Sequence, residues 1–399
     1  MLIFSIIIIL IIIVAIYLKL KYGFWCSQPV FHCYDIHYMM FPPGIINDSL
    51  PVKNRYTNFK EIDTVVFSEV SELQVTRFIN FIKYNYLRNN ENIFSPEKDN
   101  VLPYFKGHNS PSFFSFYLKD VLINDITNKN IISDKKIIGV MTSRPFHVLI
   151  PSKQDGVKDT AFDVYYVDYL CVDREFRKKG IAQQIIQTHE YNQRHVNSKI
   201  CVSLFKREDE LTGIMPLCVY KTYGYSVDKW HKPEILHSQY SVIEVTSQNM
   251  WIVVDFLKRN TKSFDIIINP EIANLLFLIE TGNMHIYSIL NNNDIKCLYF
   301  FKKTCTSIEK NKEVLTCIAS ITSDELADDI FIHGFKIVFW QIAEKHNYGF
   351  AAIENISHNY KLITNINIKT KPLVVSPTAY FFYNYGCNPF KPDRVLIID

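Results

Sequence analysis

Arg177-Lys178-Lys179-Gly180-Ile181-Ala182 is the stretch of this chain whose residue types and spacing point most directly to chemistry. It follows a run rich in aromatic and β-branched residues, Tyr165 to Val172, and precedes apolar residues at helical spacing, so a strand–turn–helix is predicted. Small residues at Gly180 and Ala182 let the backbone approach a ligand. The amides that open the helix then point at that ligand, and the helix dipole favours an anion there. The turn reads as a cradle for a pyrophosphate. A basic turn before a helix is also commonly just solvated. A second group of chemical residues lies downstream in Pro216-Leu217-Cys218-Val219-Tyr220-Lys221-Thr222-Tyr223-Gly224-Tyr225, where a short helix carrying Tyr220 and an aromatic-Gly-aromatic turn are expected.

The elements that must position these residues come from a chain with ample core. Of its 399 residues 48% are hydrophobic and 14% aromatic, enough for two domains or one large double unit. A net charge of +3, from 43 basic and 40 acidic residues, excludes the basic footprint of a nucleic-acid binder. The nine cysteines are scattered and never spaced as CxxC. They read as reduced thiols, with neither a metal site nor a disulfide framework.

Leu2 to Leu18 is apolar apart from Ser5, a run of 17 residues closed by Lys19 and Lys21. At ~1.5 Å per residue it spans about 25 Å, within the range of a single membrane helix. The competing reading is a cleaved signal peptide, but no basic region precedes the run and bulky residues, Tyr22 to Trp25, follow it. A transmembrane anchor over 2–18 is therefore expected. Basic flanks on its C-terminal side place the remainder in the cytoplasm as a single-pass membrane protein.

Ser71 to Tyr86 reads as a helix with Leu73, Val75, Phe78, Ile79 and Ile82 on one face. Lys136–Thr142 and Phe146–Ile150 read as a hairpin leading to the central strand. Lys199–Leu204 is a further strand, and Lys206–Glu210 a charged loop, either solvated or in contact with a substrate. Strands over 285–290, 296–301 and 313–319, a long helix over 323–348, and strands over 350–353 and 380–385 repeat the order of the first half. The fold class is α+β, and two like units with continuous sheets are the simplest account.

The cradle with its preceding strand resembles the coenzyme A loop of the GNAT acyltransferase superfamily, and the Tyr220 stretch resembles that superfamily's second signature. Three further stretches are similar to N-myristoyltransferases, which are tandem GNAT units. Tyr22-Gly23-Phe24-Trp25 followed by Gln28-Pro29-Val30 resembles the segment that lies against coenzyme A in that family, although Tyr22 and Trp25 equally suit a membrane-interface belt. Tyr169-Leu170-Cys171-Val172 resembles its Phe-Leu-Cys-Val strand. Tyr383-Asn384-Tyr385-Gly386-Cys387-Asn388-Pro389 resembles its approach to the end of the chain, where Val395-Leu396-Ile397-Ile398-Asp399 is apolar enough to be buried.

The resemblance implies tandem GNAT-like units, mixed and largely antiparallel sheets flanked by helices, over 22–235 and 236–399. It implies an acyl-CoA co-substrate, myristoyl-CoA or alternatively acetyl-CoA, held by Tyr22, Phe24, Trp25, Leu170, Cys171, Val172 and Arg177 to Ala182. The second unit has no copy of the cradle and is assigned no coenzyme. A monomer acting on a peptide or protein N-terminus is expected, by direct attack on the thioester and without an acyl-enzyme. Main-chain N–H groups of Tyr169 and Leu170 would polarise the thioester carbonyl, and a carboxylate at Asp399 would take the amine's proton. Both strand residues equally suit a buried strand. Asparagines replace most carboxylates of the family's acidic loop in Asn85–Phe94, leaving Glu91, so the family's peptide preference does not transfer. A dozen methylenes at roughly 0.8 kcal/mol each would give an apolar tunnel on the order of 10 kcal/mol of discrimination over acetyl. The alternatives are a membrane-tethered acetyltransferase with Tyr220 as general acid and Glu208, Asp209 or Glu210 as base, and an inactive acyl-CoA-binding or scaffolding protein.

Overall fold

In the computed structural model the described residues are 6, 9–10, 12–14, 16–18, 22–86, 93–125, 130–154, 156–208, 213–228, 230–309 and 312–399. The first half comprises β1 (Ile62–Val66), α1 (Glu72–Asn85), β2 (Phe113–Asp125), β3 (Asn130–Ile150), β4 (Thr160–Val172), α2 (Ile181–Val196), β5 (Val202–Glu208) and β6 (Cys218–Ser226). The second comprises β7 (Tyr240–Glu244), α3 (Trp251–Arg259), β8 (Ile266–Asn269), α4 (Ile272–Glu280), β9 (Met284–Asn291), β10 (Asp294–Glu309), β11 (Lys312–Thr322), α5 (Asp328–His346), β12 (Tyr348–Glu354), α6 (Asn359–Lys369), β13 (Val374–Tyr383) and β14 (Val395–Ile397).

All fourteen of these strands join one mostly antiparallel sheet, whose main path runs β14-β8-β3-β4-β5-β13-β6-β12-β11-β10-β9-β7. Three neighbouring pairs, β4 with β5, β11 with β12 and β14 with β8, are parallel. A parallel pair needs a long crossover, and α2 and α5 supply it for the first two. After each crossover the chain leaves its own half: β6 pairs with β12, while β13 lies between β5 and β6. The last long strand of each half thus completes the sheet of the other.

Close backbone approach seats both crossover helices. A Cβ on Gly139 of β3 would meet Ile185 of α2 at 2.5 Å, and one on Gly334 of α5 would meet Ile289 of β9 at 1.8 Å. Helix α1 begins at a capping box between Ser71 and Gln74 and buries Val75, Phe78, Ile79, Phe81 and Ile82. Leu73 of the predicted apolar face is exposed instead.

Three expectations change. The hairpin over 136–150 is one continuous strand, β3. Its edge passes from β2, last paired at Ser143, to β8, first paired at His147, so Pro145 falls in the gap where no N–H is required. The expected helix around Tyr220 is strand β6, because Cys218 and Tyr220 turn inward while Val219 and Lys221 face out, a period of two. The anchor over 2–18, and with it the single-pass topology, is overturned: no helix among the described residues is long and apolar enough to cross a membrane. Residues 2–5, 7, 8, 11 and 15 of that stretch lie outside the described set.

Candidate active site

The predicted cradle lines a cleft of about 520 Å³. Gly180 adopts φ +77°, in the left-handed region that favours glycine, and is the N-cap of α2. Leu170, Cys171, Val172, Arg177, Lys178, Gly180, Ile181 and Ala182 all line the cleft, together with Asn85 and Tyr86 at the end of α1. The first amides of α2 have no partner within the helix. Arg177 itself braces the walls: Nε donates to the Val172 carbonyl at 3.1 Å and Nη2 to that of Asn85 at 3.0 Å. Lys179 is not among the lining residues, and its ammonium rests over the Phe176 ring.

Deeper in, the ladder between β3 and β4 breaks. Thr142 pairs with Asp168 and Val140 with Cys171, so Tyr169 and Leu170 together face the single residue Met141. This is a β-bulge, and Tyr169 takes φ +50° within it. On the other edge of β4 pairing with β5 ends at Val167 and Phe205, so the two strands part just before the bulge. The Tyr169 ring is pinned against Phe78 and Tyr86, at centroid distances of 5.7 and 5.3 Å. Bulge and splay together take Tyr169 and Leu170 out of the regular register on both edges of β4, and Leu170 is also part of the cleft wall.

A buried charge cluster lies behind the bulge. Strand β14 pairs in parallel with β8, and Ile398 donates its amide to Ile268 at 2.9 Å, which carries Asp399 inside with only 2% of its surface exposed. Tyr166 of β4 donates to Asp399 Oδ2 at 2.8 Å, and the ammonium groups of Lys302 and Lys206 stand 3.7 and 4.0 Å away. Lys206 also pairs with Glu354 Oε1 at 2.6 Å, and Tyr220 donates to Glu354 Oε2. Burial alone would raise the Asp399 pKa, but Lys302, Lys206, the Tyr166 hydroxyl and Arg144 outweigh it and hold the carboxyl well below its usual range. For Glu354 burial prevails over Lys206, and its pKa is raised. Arg144 of β3 is fully buried, stacked at 4.6 to 5.2 Å on Phe146, Tyr104 and Tyr166, and bonded through Nε to Asp168 at 2.9 Å.

The structure of Saccharomyces cerevisiae N-myristoyltransferase with bound myristoyl-CoA superposes with a TM-score of 0.72, covering 95% of this chain and 99% of that one at 11% identity. A second structure of the yeast enzyme, with bound myristoyl-CoA and inhibitors, gives 0.69 over 95% of each chain at 12% identity. The chain has the N-myristoyltransferase fold. No family model and no curated protein matches its sequence.

On this N-myristoyltransferase fold the predicted residues divide into three places. Leu170 to Val172 and the turn from Arg177 to Ala182, without Lys179, gather at the cleft. Tyr220 and Asp399 gather in the charge cluster. Tyr22, Phe24 and Trp25 are at neither: Tyr22 stacks on Tyr34, Phe24 packs edge-on against Tyr56, and Trp25 lies over Phe205. The following Gln28-Pro29-Val30 docks on β13, where Tyr383 donates to Gln28 at 2.8 Å. Glu208 ends β5, while Asp209, Glu210 and the loop carrying Glu91 lie outside the described residues. Tyr166, Arg144, Lys302 and Glu354 escaped the sequence reading, and Lys206, expected in a charged loop, belongs with Arg207 and Glu208 to strand β5. These four and Lys206 come from five different strands with no shared spacing, and only the neighbours of Asp399 in space reveal them.

Asp168→Ala leaves Arg144 charged and buried without its ionic partner. A loss of about 3–5 kcal/mol of folding stability is expected, read as a lower midpoint in urea with an unchanged slope. An unchanged midpoint would mean that the stacked rings alone sustain Arg144.

Proposed function

We propose that the protein is an acyl-CoA-dependent N-acyltransferase that moves a myristoyl-type acyl group to the amino-terminal glycine of a peptide. It would be built from two GNAT-like units over 22–235 and 236–399. The observation that carries this reading is the bulge at Tyr169 and Leu170, which breaks the ladder of β4 between an anion-favouring helix terminus and a buried carboxylate.

Pyrophosphate of the donor would lie at the first amides of α2 beside Lys178. The thioester carbonyl would turn toward the N–H groups of Tyr169 and Leu170, which stabilise the oxyanion as the amine adds to the carbonyl carbon. A free amino terminus has a pKa of about 8, so a sizeable minority is neutral at physiological pH. Its nitrogen becomes positive and far more acidic on attack, so even a weakly basic carboxylate at Asp399 can take the proton. Collapse expels the coenzyme as thiolate, which is then protonated, and leaves an amide. Tyr220 is poorly placed as the acid of an acetyltransferase: burial, then Glu354, push its pKa well up, and its hydroxyl already donates to Glu354.

The test is incubation of the protein with myristoyl-CoA or acetyl-CoA and a panel of peptides with amino-terminal glycine. Myristoyl transfer supports the reading, acetyl transfer alone replaces it with the acetyltransferase, and transfer from neither donor leaves a binding protein. Gly180→Asp adds a carboxylate and a strained φ at the cradle, and should raise the KM for acyl-CoA about 10- to 100-fold. An unchanged KM would place the pyrophosphate elsewhere.

A further inference from the structure

We infer that Lys206 and Lys302 are positioning residues that grip the Asp399 carboxylate from opposite halves of the sheet and hold it ready for the acceptor amine. The inference rests on the acyltransfer reading above, and nothing in the comparisons assigns either lysine a role.

The two lysines arrive by similar means. Lys206 projects from β5 and its ammonium lies 5.4 Å from the Tyr380 ring, while Lys302 projects from β10 and lies 5.2 Å from the Tyr104 ring. A cation over an aromatic face is attracted to it, so each ring fixes the end of a long side chain. At 4.0 and 3.7 Å from Oδ2, both charges act on Asp399 through space, while the short hydrogen bond to that oxygen comes from Tyr166. Oδ1 is left buried with no hydrogen-bond partner, the one carboxylate oxygen so placed among the described residues. A buried acceptor without a donor is costly. An incoming amine would supply the missing donor.

Charge balance explains why two lysines are present. Three side-chain carboxylates meet here, Asp399, Glu354 from β12 and Asp168 from β4, and Lys206, Lys302 and Arg144 from β3 face them. The phenols that also face the cluster, Tyr166, Tyr220 and Tyr380, are kept neutral by burial. Without Lys206, Glu354 Oε1 loses its partner at 2.6 Å and the carboxylates of Glu354 and Asp399 repel one another. Two such groups then share a proton, and one of them stops being available as a base.

The experiment compares Lys206→Met, Lys302→Met and Lys206→Arg with the parent protein. Myristoyl transfer to a glycine peptide is followed between about pH 5.5 and 8, and Asp399 is titrated by carbon-13 NMR in protein labelled at aspartate. Either Met variant should acquire an acidic limb in kcat, with a fall of about tenfold or more at the lower pH and recovery at the higher. The KM for acyl-CoA should stay unchanged, and Lys206→Arg should restore the parent profile. Profiles that are unchanged, or scaled down equally at every pH, would overturn the inference. If Lys206→Met does not fold, Lys302→Met, whose lysine is more exposed, decides the matter. If the parent transfers no acyl group at all, the functional reading fails, and the titration alone judges the clamp. An upward move of the Asp399 titration to about 6.5 in either Met variant supports the clamp, and a titration that stays within the usual carboxylate range or below it overturns it.

Discussion

Asp399→Asn should lower kcat by about 10²- to 10³-fold and leave the KM for acyl-CoA within about twofold. Asparagine keeps the shape of aspartate and can still accept the 2.8 Å hydrogen bond from Tyr166, so the end of the chain stays docked on β8. What disappears is the side-chain charge that Lys206 and Lys302 surround and the side-chain oxygen able to accept a proton. The coenzyme cleft shares no lining residue with this cluster, which is why binding and turnover should separate. Steady-state kinetics with myristoyl-CoA and a glycine peptide read both quantities. A kcat within threefold of the parent would remove the Asp399 side chain from the chemistry, on the usual scale for losing a general base.

Folding stability should fall steeply as the pH drops from about 6.5 to about 4, through buried histidines. His189, His108, His285 and His358 each have a pKa lowered to about 4, in every case chiefly by burial. A folded-state value below the unfolded one of about 6.5 means that the unfolded chain binds more protons across that window. The stabilisation is therefore fully present above about 6.5 and is lost as the pH falls toward 4. His189 is the clearest case: it is 1% exposed, and Ser115 and Ser143 occupy its two ring nitrogens at 2.8 Å each. It alone is worth on the order of 3 kcal/mol, and the four together on the order of 10, comparable with the whole stability of a domain. Glu190 works the other way, since burial raises its pKa to about 7, and it returns roughly 3 kcal/mol over much of the same window. Urea midpoints measured by circular dichroism across that range, in the parent and in His189→Gln, test this. A flat parent curve, or an equally steep His189→Gln curve, would refute it.

How much of this was legible in the residues follows from how local each feature is. The cradle could be read because Gly180, Ala182 and the helix after them are contiguous, and the turn and its amides depend on nothing distant. Tyr169 and Leu170 could be marked on the strand before it, although the bulge itself is a matter of register against β3. Most strands of the second half were visible from aromatic and β-branched runs. Around Tyr220 the alternation of Cys218, Val219, Tyr220 and Lys221 carries the period of a strand, and Tyr223-Gly224-Tyr225, which resembles the turn after a short helix, lies within β6. The hairpin within β3 went wrong because only the change of partner at Pro145, from β2 to β8, explains the proline. The expectation over 2–18 rests on hydropathy alone, and no helix among the described residues is long and apolar enough to cross a membrane. The charge cluster was out of reach, since Arg144, Tyr166, Lys206, Lys302 and Glu354 are ordinary residues of ordinary strands until the sheet is assembled.

The exchange of β6 and β13 has its own consequence for how the molecule comes apart. Cutting between residues 235 and 236 would divide the chain but not the fold, for each piece would carry away a strand that belongs in the other's sheet and expose raw edges on both. Neither half can melt while the other stays whole, so heating should produce one cooperative transition, and gene fragments encoding the halves should yield product only when expressed together.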